Sequence, residues 1–207
     1  MSTQQLYNSW SSTYDTVENK TRDLEKLACK QILSSIPFKT VIELGCGTGK
    51  NTMWFVEKAK HIIAVDLSEK MQAIAKQKVK SEKVVFKQAD ITKPWSFVST
   101  RANLITCSLI LEHIEDLDFI FLQAYQHLDT NGHFYICELH PFKQYNGSKA
   151  RFETEEGFKV LECFTHHISD YTQSAQKNNF SLIQLDEWFD DNDRTTIPRL
   201  ISFLFKR

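Results

Sequence analysis

The chain has 207 residues, of which 42% are hydrophobic and 25% charged, with a formal net charge of −1. That length suits one domain with a substantial core and excludes two full ones, while the near-neutral balance provides no global attraction to nucleic acid or to an anionic membrane. Asp15, Glu18, Asp23 and Glu25 interrupt the opening segment, and no apolar run approaches the roughly eighteen residues of a span, so neither a signal-peptide core nor a membrane helix is expected and a cytoplasmic location is.

In chain order, residues 1–16 form an arm carrying Tyr7, Trp10 and Tyr14 ahead of the first periodic segment. Val17, Leu24, Leu27, Ala28, Ile32 and Leu33 recur at mostly helical spacing and stop before Pro37, predicting a helix within 16–36. Apolar, β-branched runs follow at Val41–Leu44, Ile62–Val65, Val84–Phe86, Leu104–Cys107 and Phe134–Cys137. Between them lie helical patterns: one with Met53, Trp54 and Val56, one from Ser68 through Met71, Ile74 and Ala75, and one with Leu117, Ile120, Phe121, Ala124 and Leu128. This alternation implies a parallel α/β sheet. The last third changes rhythm, with a helix near Ser169–Lys177 and then Phe180–Leu185 and Ile197–Phe205, joined by Asp190-Asp191-Asn192-Asp193 as a hairpin. That acidic turn reads as a solvated turn rather than a cation loop, because no further ligand pattern follows.

Cys29, Cys46, Cys107, Cys137 and Cys163 are odd in number, widely spaced and free of any C-x-x-C pair. This argues against a disulfide framework and a zinc site. No metal is expected.

The segment Thr40 to Lys50 places Glu43 two residues before three alternating glycines, Gly45, Gly47 and Gly49, with Cys46 between the first two. Glycine permits a sharp turn and close approach of backbone to a ligand, but the spacing is not the G-x-G-x-x-G of a dinucleotide loop. Asp66 ends the second strand run about twenty residues beyond Glu43, where a carboxylate can accept from ribose hydroxyls. Asp90 ends the third, and Leu67, Met71 and Ile91 can wall an aromatic base. Taken singly, Asp66 is also a good helix-capping residue and Asp90 suits a turn.

In this order the glycine loop and acids resemble the class I S-adenosylmethionine-dependent methyltransferases. The resemblance implies a three-layer α/β/α sandwich with a seven-stranded, mostly parallel sheet of order 3-2-1-4-5-7-6 and an antiparallel C-terminal strand. It implies S-adenosyl-L-methionine as methyl donor and S-adenosyl-L-homocysteine as product. Glu43 would orient the donor's ammonium group, Asp66 the ribose, Asp90 the adenine amino group, and the glycine backbone would pack on the donor. The stretch around Ser108 resembles the segment over the sulfonium end, where His113 reads as a structural helix residue. Tyr14, with Tyr7 and Trp10, belongs to an arm that either covers the donor as a lid or packs on the core.

The acceptor side is less determined. Residues 139–165, after the fifth strand, read as a substrate-cap insertion in a single domain covering 1–207. His140 at a strand's carboxyl end is the first choice as base, with Tyr145, His167 and Tyr171 as positioning groups, although His140 before a proline also suits a loop. Glu153, Glu155 and Glu156 in this insertion can signal a cationic substrate or merely a solvated loop. A small-molecule methyl acceptor is the leading expectation; RNA or protein methylation and non-catalytic donor binding are the alternatives. Lys70, Lys76, Lys78, Lys80, Lys83 and Lys87 motivate the RNA reading, but without an arginine–aromatic platform they suit a solvated helix face. Oligomeric state is not legible.

Overall fold

A computed structural model describes residues 2–154 and 157–207, residues 152–154 by backbone alone. The expectation placed on the side chains of Glu153, Glu155 and Glu156 therefore lies outside the described residues.

The arm is helical, α1 at Thr3–Trp10, started by a reciprocal cap between Ser2 and Gln5. Helix α2 spans Lys20–Leu33, later than the periodicity predicts, because Asn19 adopts extended backbone and caps it with a 3.0 Å bond from Arg22 N–H. Val17 thus falls outside the helix and is exposed, and Leu27 also faces solvent. Then come β1 (Thr40–Leu44), α3 (Lys50–Lys58), β2 (His61–Asp66), α4 (Glu69–Lys78), β3 (Val84–Gln88), β4 (Ala102–Ser108), a 3₁₀ turn at Leu111–His113, α5 (Leu117–His127) and β5 (Leu128–Leu139). Ser68 caps α4 as its sequence suggests, accepting from Met71 N–H at 3.1 Å.

The insertion after β5 holds the short helix α6 (Pro141–Tyr145) and a two-stranded ribbon, β6 (Arg151–Thr154) and β7 (Gly157–Val160), none of which the sequence pattern reveals. The chain closes with α7 (Ile168–Lys177), β8 (Ser181–Trp188) and β9 (Leu200–Lys206).

The main sheet runs β3-β2-β1-β4-β5-β9-β8. Counted among its own seven strands, this is the expected order. The first five strands are mutually parallel, and β9 lies antiparallel to both β5 and β8.

Side chains alternate across the sheet and divide the core into two layers. Ile42, Leu44, Ile105, Cys107, Phe134, Ile136, Ile201, Phe203 and Phe205 pack with Ile120, Phe121 and Ala124 of α5 and Tyr171 and Ala175 of α7. On the other face Val41, Leu104, Tyr135, Cys137, Leu200 and Leu204 meet Ala28, Cys29 and Ile32 of α2 and Trp54 and Phe55 of α3. This is the three-layer α/β/α sandwich. Strand order reverses between β1 and β4, so a crevice opens beyond their carboxyl ends, where Gly45 and Ser108 stand.

Candidate functional site

Two adjoining cavities occupy that crevice, of about 360 and about 430 Å³, and Tyr14, Gly45, Gly47, Ser108 and Leu109 border both. The first is lined by acids from three elements, Asp15, Glu18, Asp23, Glu25 and Glu43, against Arg22, Lys26 and Lys50. Glu43 is buried and accepts from the Thr52 hydroxyl at 2.6 Å; burial pushes its carboxyl up to about 8. Glu25, fully buried, is satisfied by an ion pair with Lys50 and a 2.9 Å bond from Asn51 Nδ2.

The second cavity holds the two remaining acids and the apolar walls: Asp66, Asp90, Leu67, Met71, Ile91, Ile110 and Ile114. Asp66 ties the glycine loop to the start of α4, accepting from Gly47 N–H at 2.7 Å and Ser68 N–H at 2.8 Å. Burial raises its carboxyl, and those backbone donors oppose the rise. Asp90 accepts from the backbone and hydroxyl of Thr92 through Oδ1, at 2.9 and 2.7 Å. Ser108 Oγ is buried without a hydrogen-bond partner among the described residues, although its residue borders both cavities. An orphaned hydroxyl in such a place suits a polar ligand group.

The structure thus brings Tyr14, Glu43, Gly45, Cys46, Gly47, Asp66, Leu67, Met71, Asp90, Ile91 and Ser108 to one pair of cavities. Cys46 N–H is committed to Val65 O at 2.8 Å, and burial pushes its thiol up. Gly49 borders neither cavity. Its φ of +84° begins α3, and a Cβ there would lie 3.3 Å from Ala75 Cα, so it serves helix packing.

The arm closes over the second cavity through Gln4, Tyr7 and Tyr14. Gln4 Nε2 donates to Leu67 O at 3.1 Å, Asn8 Oδ1 accepts from the Ser68 hydroxyl at 2.6 Å, and Asp15 accepts from the Thr48 hydroxyl at 2.8 Å and pairs with Lys78. The Arg22 guanidinium lies 4.2 Å from the Tyr14 ring centroid.

The four residues expected at the acceptor do not border these cavities. His140 is fully buried as the cap of α6: Nδ1 accepts from Phe142 N–H at 3.2 Å and Nε2 lies 3.2 Å from Glu187 Oε1. Burial, opposed by Glu187, lowers its pKa. Tyr171 is buried in the core, stacked 4.9 Å from Phe203. The Tyr145 hydroxyl meets His167 Nδ1 at 2.5 Å on the exposed side of the insertion. His113 borders the second cavity together with Tyr7. It sits in a 3₁₀ turn, not a longer helix. The aromatic arm and Glu112-His113 after β4 were the sequence signals for this pair.

A third, larger cavity of about 740 Å³ adjoins the other two at Tyr14 and Leu109 and runs out beneath the insertion, bordered by Lys143, Asn146, Gly147 and Ala150. None of Lys70, Lys76, Lys78, Lys80, Lys83 and Lys87 lines these three cavities; Lys83 donates to Val56 O at 2.8 Å, Lys76 stands 5.9 Å from the Phe86 ring centroid, and Lys78 pairs with Asp15. No helix among the described residues is long and apolar enough to cross a membrane.

Residues 42–136 match the family model of a methyltransferase domain. An uncharacterized methyltransferase of Emericella nidulans is 22% identical over 241 residues, spanning 98% of this chain and 84% of that protein. A demethylmenaquinone methyltransferase of Bacteroides fragilis is 32% identical over 111 residues, spanning 50% of this chain and 45% of its own. Among solved structures, an S-adenosylmethionine-dependent methyltransferase from Mesorhizobium loti has a TM-score of 0.73 at 20% identity, covering 89% of this chain and 98% of that one. The N-methyltransferase NodS of Bradyrhizobium japonicum, in complex with S-adenosylhomocysteine, has a TM-score of 0.74 at 14% identity, covering 100% and 99%.

Proposed function

We propose that this chain, an S-adenosylmethionine-dependent methyltransferase with the Rossmann-like class I fold, acts on a small-molecule acceptor seated under the 139–165 insertion. The observation that carries this reading is the meeting of the cavities: two on the donor side and one beneath the insertion share the Tyr14–Leu109 boundary. An acceptor enclosed there is the size of a metabolite rather than a folded protein or RNA duplex.

On this reading the acid-rich first cavity takes the cationic methionine end, with Glu43 and the Glu25–Lys50–Asn51 cluster around it. Asp66 offers its remaining lone pairs to the ribose, and Leu67, Met71 and Ile91 enclose the base beside Asp90. Ser108 Oγ gains the partner it lacks in the protein alone. S-adenosylmethionine supplies, when bound, a methyl carbon on a sulfonium sulfur; in-line attack by the acceptor forms the new bond while the carbon–sulfur electron pair returns to sulfur, leaving S-adenosylhomocysteine. The protein's part is alignment and exclusion of water. The arm supplies the exclusion, with Tyr7 and His113 on the cavity wall. His113 borders that wall with both ring nitrogens engaged, by the Tyr7 hydroxyl and the Glu162 carbonyl, so it positions Tyr7 rather than taking a proton from the acceptor.

Titration calorimetry with S-adenosylmethionine tests the donor half: the intact protein binds, and Asp66→Ala weakens binding by about tenfold or more, as loss of a charge-assisted hydrogen-bonding group requires. Absence of heat in the intact protein, or an unaltered Asp66→Ala, would defeat the assignment.

A further inference from the structure

The third cavity differs in charge from the two beside it. Its lining includes Lys20, Arg22, Lys143, Lys149, Arg151 and Arg199 against Glu18 and Glu112. The first cavity carries more acids than bases, and the second has Asp66 and Asp90 with no lysine or arginine. Two of the third cavity's cations are already committed. Arg199 is gripped by both oxygens of Asp190 and donates to the Thr21 hydroxyl at 3.1 Å. Arg22 donates to the backbone carbonyls of Tyr14 and Val17.

Of the rest, Arg151 lies 5.1 Å from the Phe158 ring centroid, which leaves its hydrogen-bond donors unused by that contact. The side chains of Lys20, Lys143 and Lys149 make no hydrogen bond or ion pair among the described residues, although the charges of Lys143 and Lys20 help to lower the pKa of Asp190. Glu112 is buried, receiving Gln144 Nε2 at 3.4 Å through one oxygen while the other lies 4.0 Å from His113 Nε2. Tyr7, Trp10 and Tyr14 supply an aromatic wall on the donor side. An ammonium group that forms no ion pair, on the wall of a concave site, favours an anionic guest.

Resting on the small-molecule reading above, we infer that the methyl acceptor is itself an anion, a metabolite carrying a carboxylate or phosphate-type oxyanion, and that Lys143 and Lys149 of the insertion hold that group. The cavities then divide the labour by charge: acids surround the cationic donor and cations surround the acceptor. The same arrangement disfavours amine substrates, whose ammonium form would face uncompensated lysines.

The test uses the full chain saturated with S-adenosylhomocysteine and four probes of similar size: phenyl phosphate, benzoate, benzyl alcohol and benzylamine, with binding read by saturation-transfer NMR and calorimetry. At low salt the two anions bind about tenfold or more tightly than benzyl alcohol, benzylamine binds weakest, and added salt compresses the differences. The relative strength of phenyl phosphate and benzoate identifies which oxyanion the lysines prefer. Lys143→Gln combined with Lys149→Gln abolishes most of the preference, and Lys→Arg at both positions restores it, while affinity for S-adenosylhomocysteine stays the same. Equal binding of phenyl phosphate and benzylamine, or an unchanged preference in the glutamine variant, would overturn the inference. A protein that fails to bind S-adenosylhomocysteine yet retains the anion preference removes the donor assignment and leaves the anion site standing.

Discussion

The Tyr7 hydroxyl stands 2.9 Å from Nε2 of His113, joining the arm to the turn after β4 across 106 residues of sequence. His113 Nδ1 lies 2.8 Å from the Glu162 carbonyl, which can only accept. In the neutral ring the proton therefore resides on Nδ1, and Nε2 accepts from the tyrosine. Burial holds the Tyr7 phenol well above its ordinary pKa, so it stays a donor at neutral pH.

Tyr7→Phe deletes this bond and keeps the ring, which stacks 5.8 Å from Trp10. A net loss of about 1 kcal/mol predicts faster amide exchange across Thr3–Trp10 and roughly fivefold weaker binding of S-adenosylhomocysteine. Exchange in β1 and β4 should not change. Identical arm exchange in the variant would show that the contact does not hold the arm.

His140 makes the opposite prediction. Its ring fills a fully buried site between Phe142 N–H and Glu187, so His140→Ala should lower unfolding free energy by about 1–3 kcal/mol. Donor affinity should remain within twofold or so of the parent, about the scatter of such measurements. Turnover that vanishes without loss of stability would return His140 to the chemistry.

At Gly45 the backbone has φ +70°, and a Cβ would fall 2.5 Å from Ile110 Cγ2. Gly45→Ala therefore combines left-handed strain with overpacking, a cost of roughly 2–5 kcal/mol. Pairing it with Ile110→Ala should relieve the overlap but not the strain, so urea denaturation should find the double variant less destabilised than the sum of the singles. Strict additivity would mean that the side chains do not meet.

Burial pushes Glu43 and Glu138 up to about 8 from an ordinary 4.5. Glu138 accepts from Ile110 and Leu111 N–H at 3.1 and 3.0 Å through one oxygen, while its other oxygen has no partner among the described residues. An acid whose folded pKa is raised binds its proton more tightly in the folded state. Its contribution is fully present below about 4.5 and declines as pH rises to about 8. With other groups held in common, Glu43→Gln and Glu138→Gln should each flatten the fall in melting temperature across that window. If, as proposed, Glu43 faces the donor's cationic end, donor binding has the reverse dependence, because a cationic ligand needs the carboxylate: affinity should rise with pH toward 8 and release a proton on binding. A slope unchanged by either glutamine substitution would show that neither group titrates there.

The sheet was legible because its strands announce themselves locally, by β-branched runs such as Val41–Leu44 and Ile62–Val65 between helical periodicities. The placement of Asp66 and Asp90 at the crevice was legible for the same reason, since they stand at the ends of such runs. The placement of His140, Tyr145, His167 and Tyr171 away from the cavities was not. That His140 follows a strand is a local fact; that Arg199 O receives its N–H at 2.9 Å and Glu187 meets its ring is decided by the β8–β9 pair about fifty residues onward. Tyr171 carries a polar tip that suggested a site, yet at 3% exposure its ring is spent on packing against Phe203. The α6 helix and the β6–β7 ribbon are too short to establish a period, which concealed the placement of Lys143, Arg151 and the intervening Lys149 at the third cavity.

Tyr14 borders all three cavities. With Leu109, which also borders all three, its ring forms the shared partition between the compartments. On the proposed reading, loading of the nucleoside, admission of its reaction partner and discharge of the spent nucleoside are not independent events. All three pass the same ring, which Arg22 holds from its face and whose neighbour Asp15 is anchored on Thr48, so loosening those contacts should alter every one of these passages together.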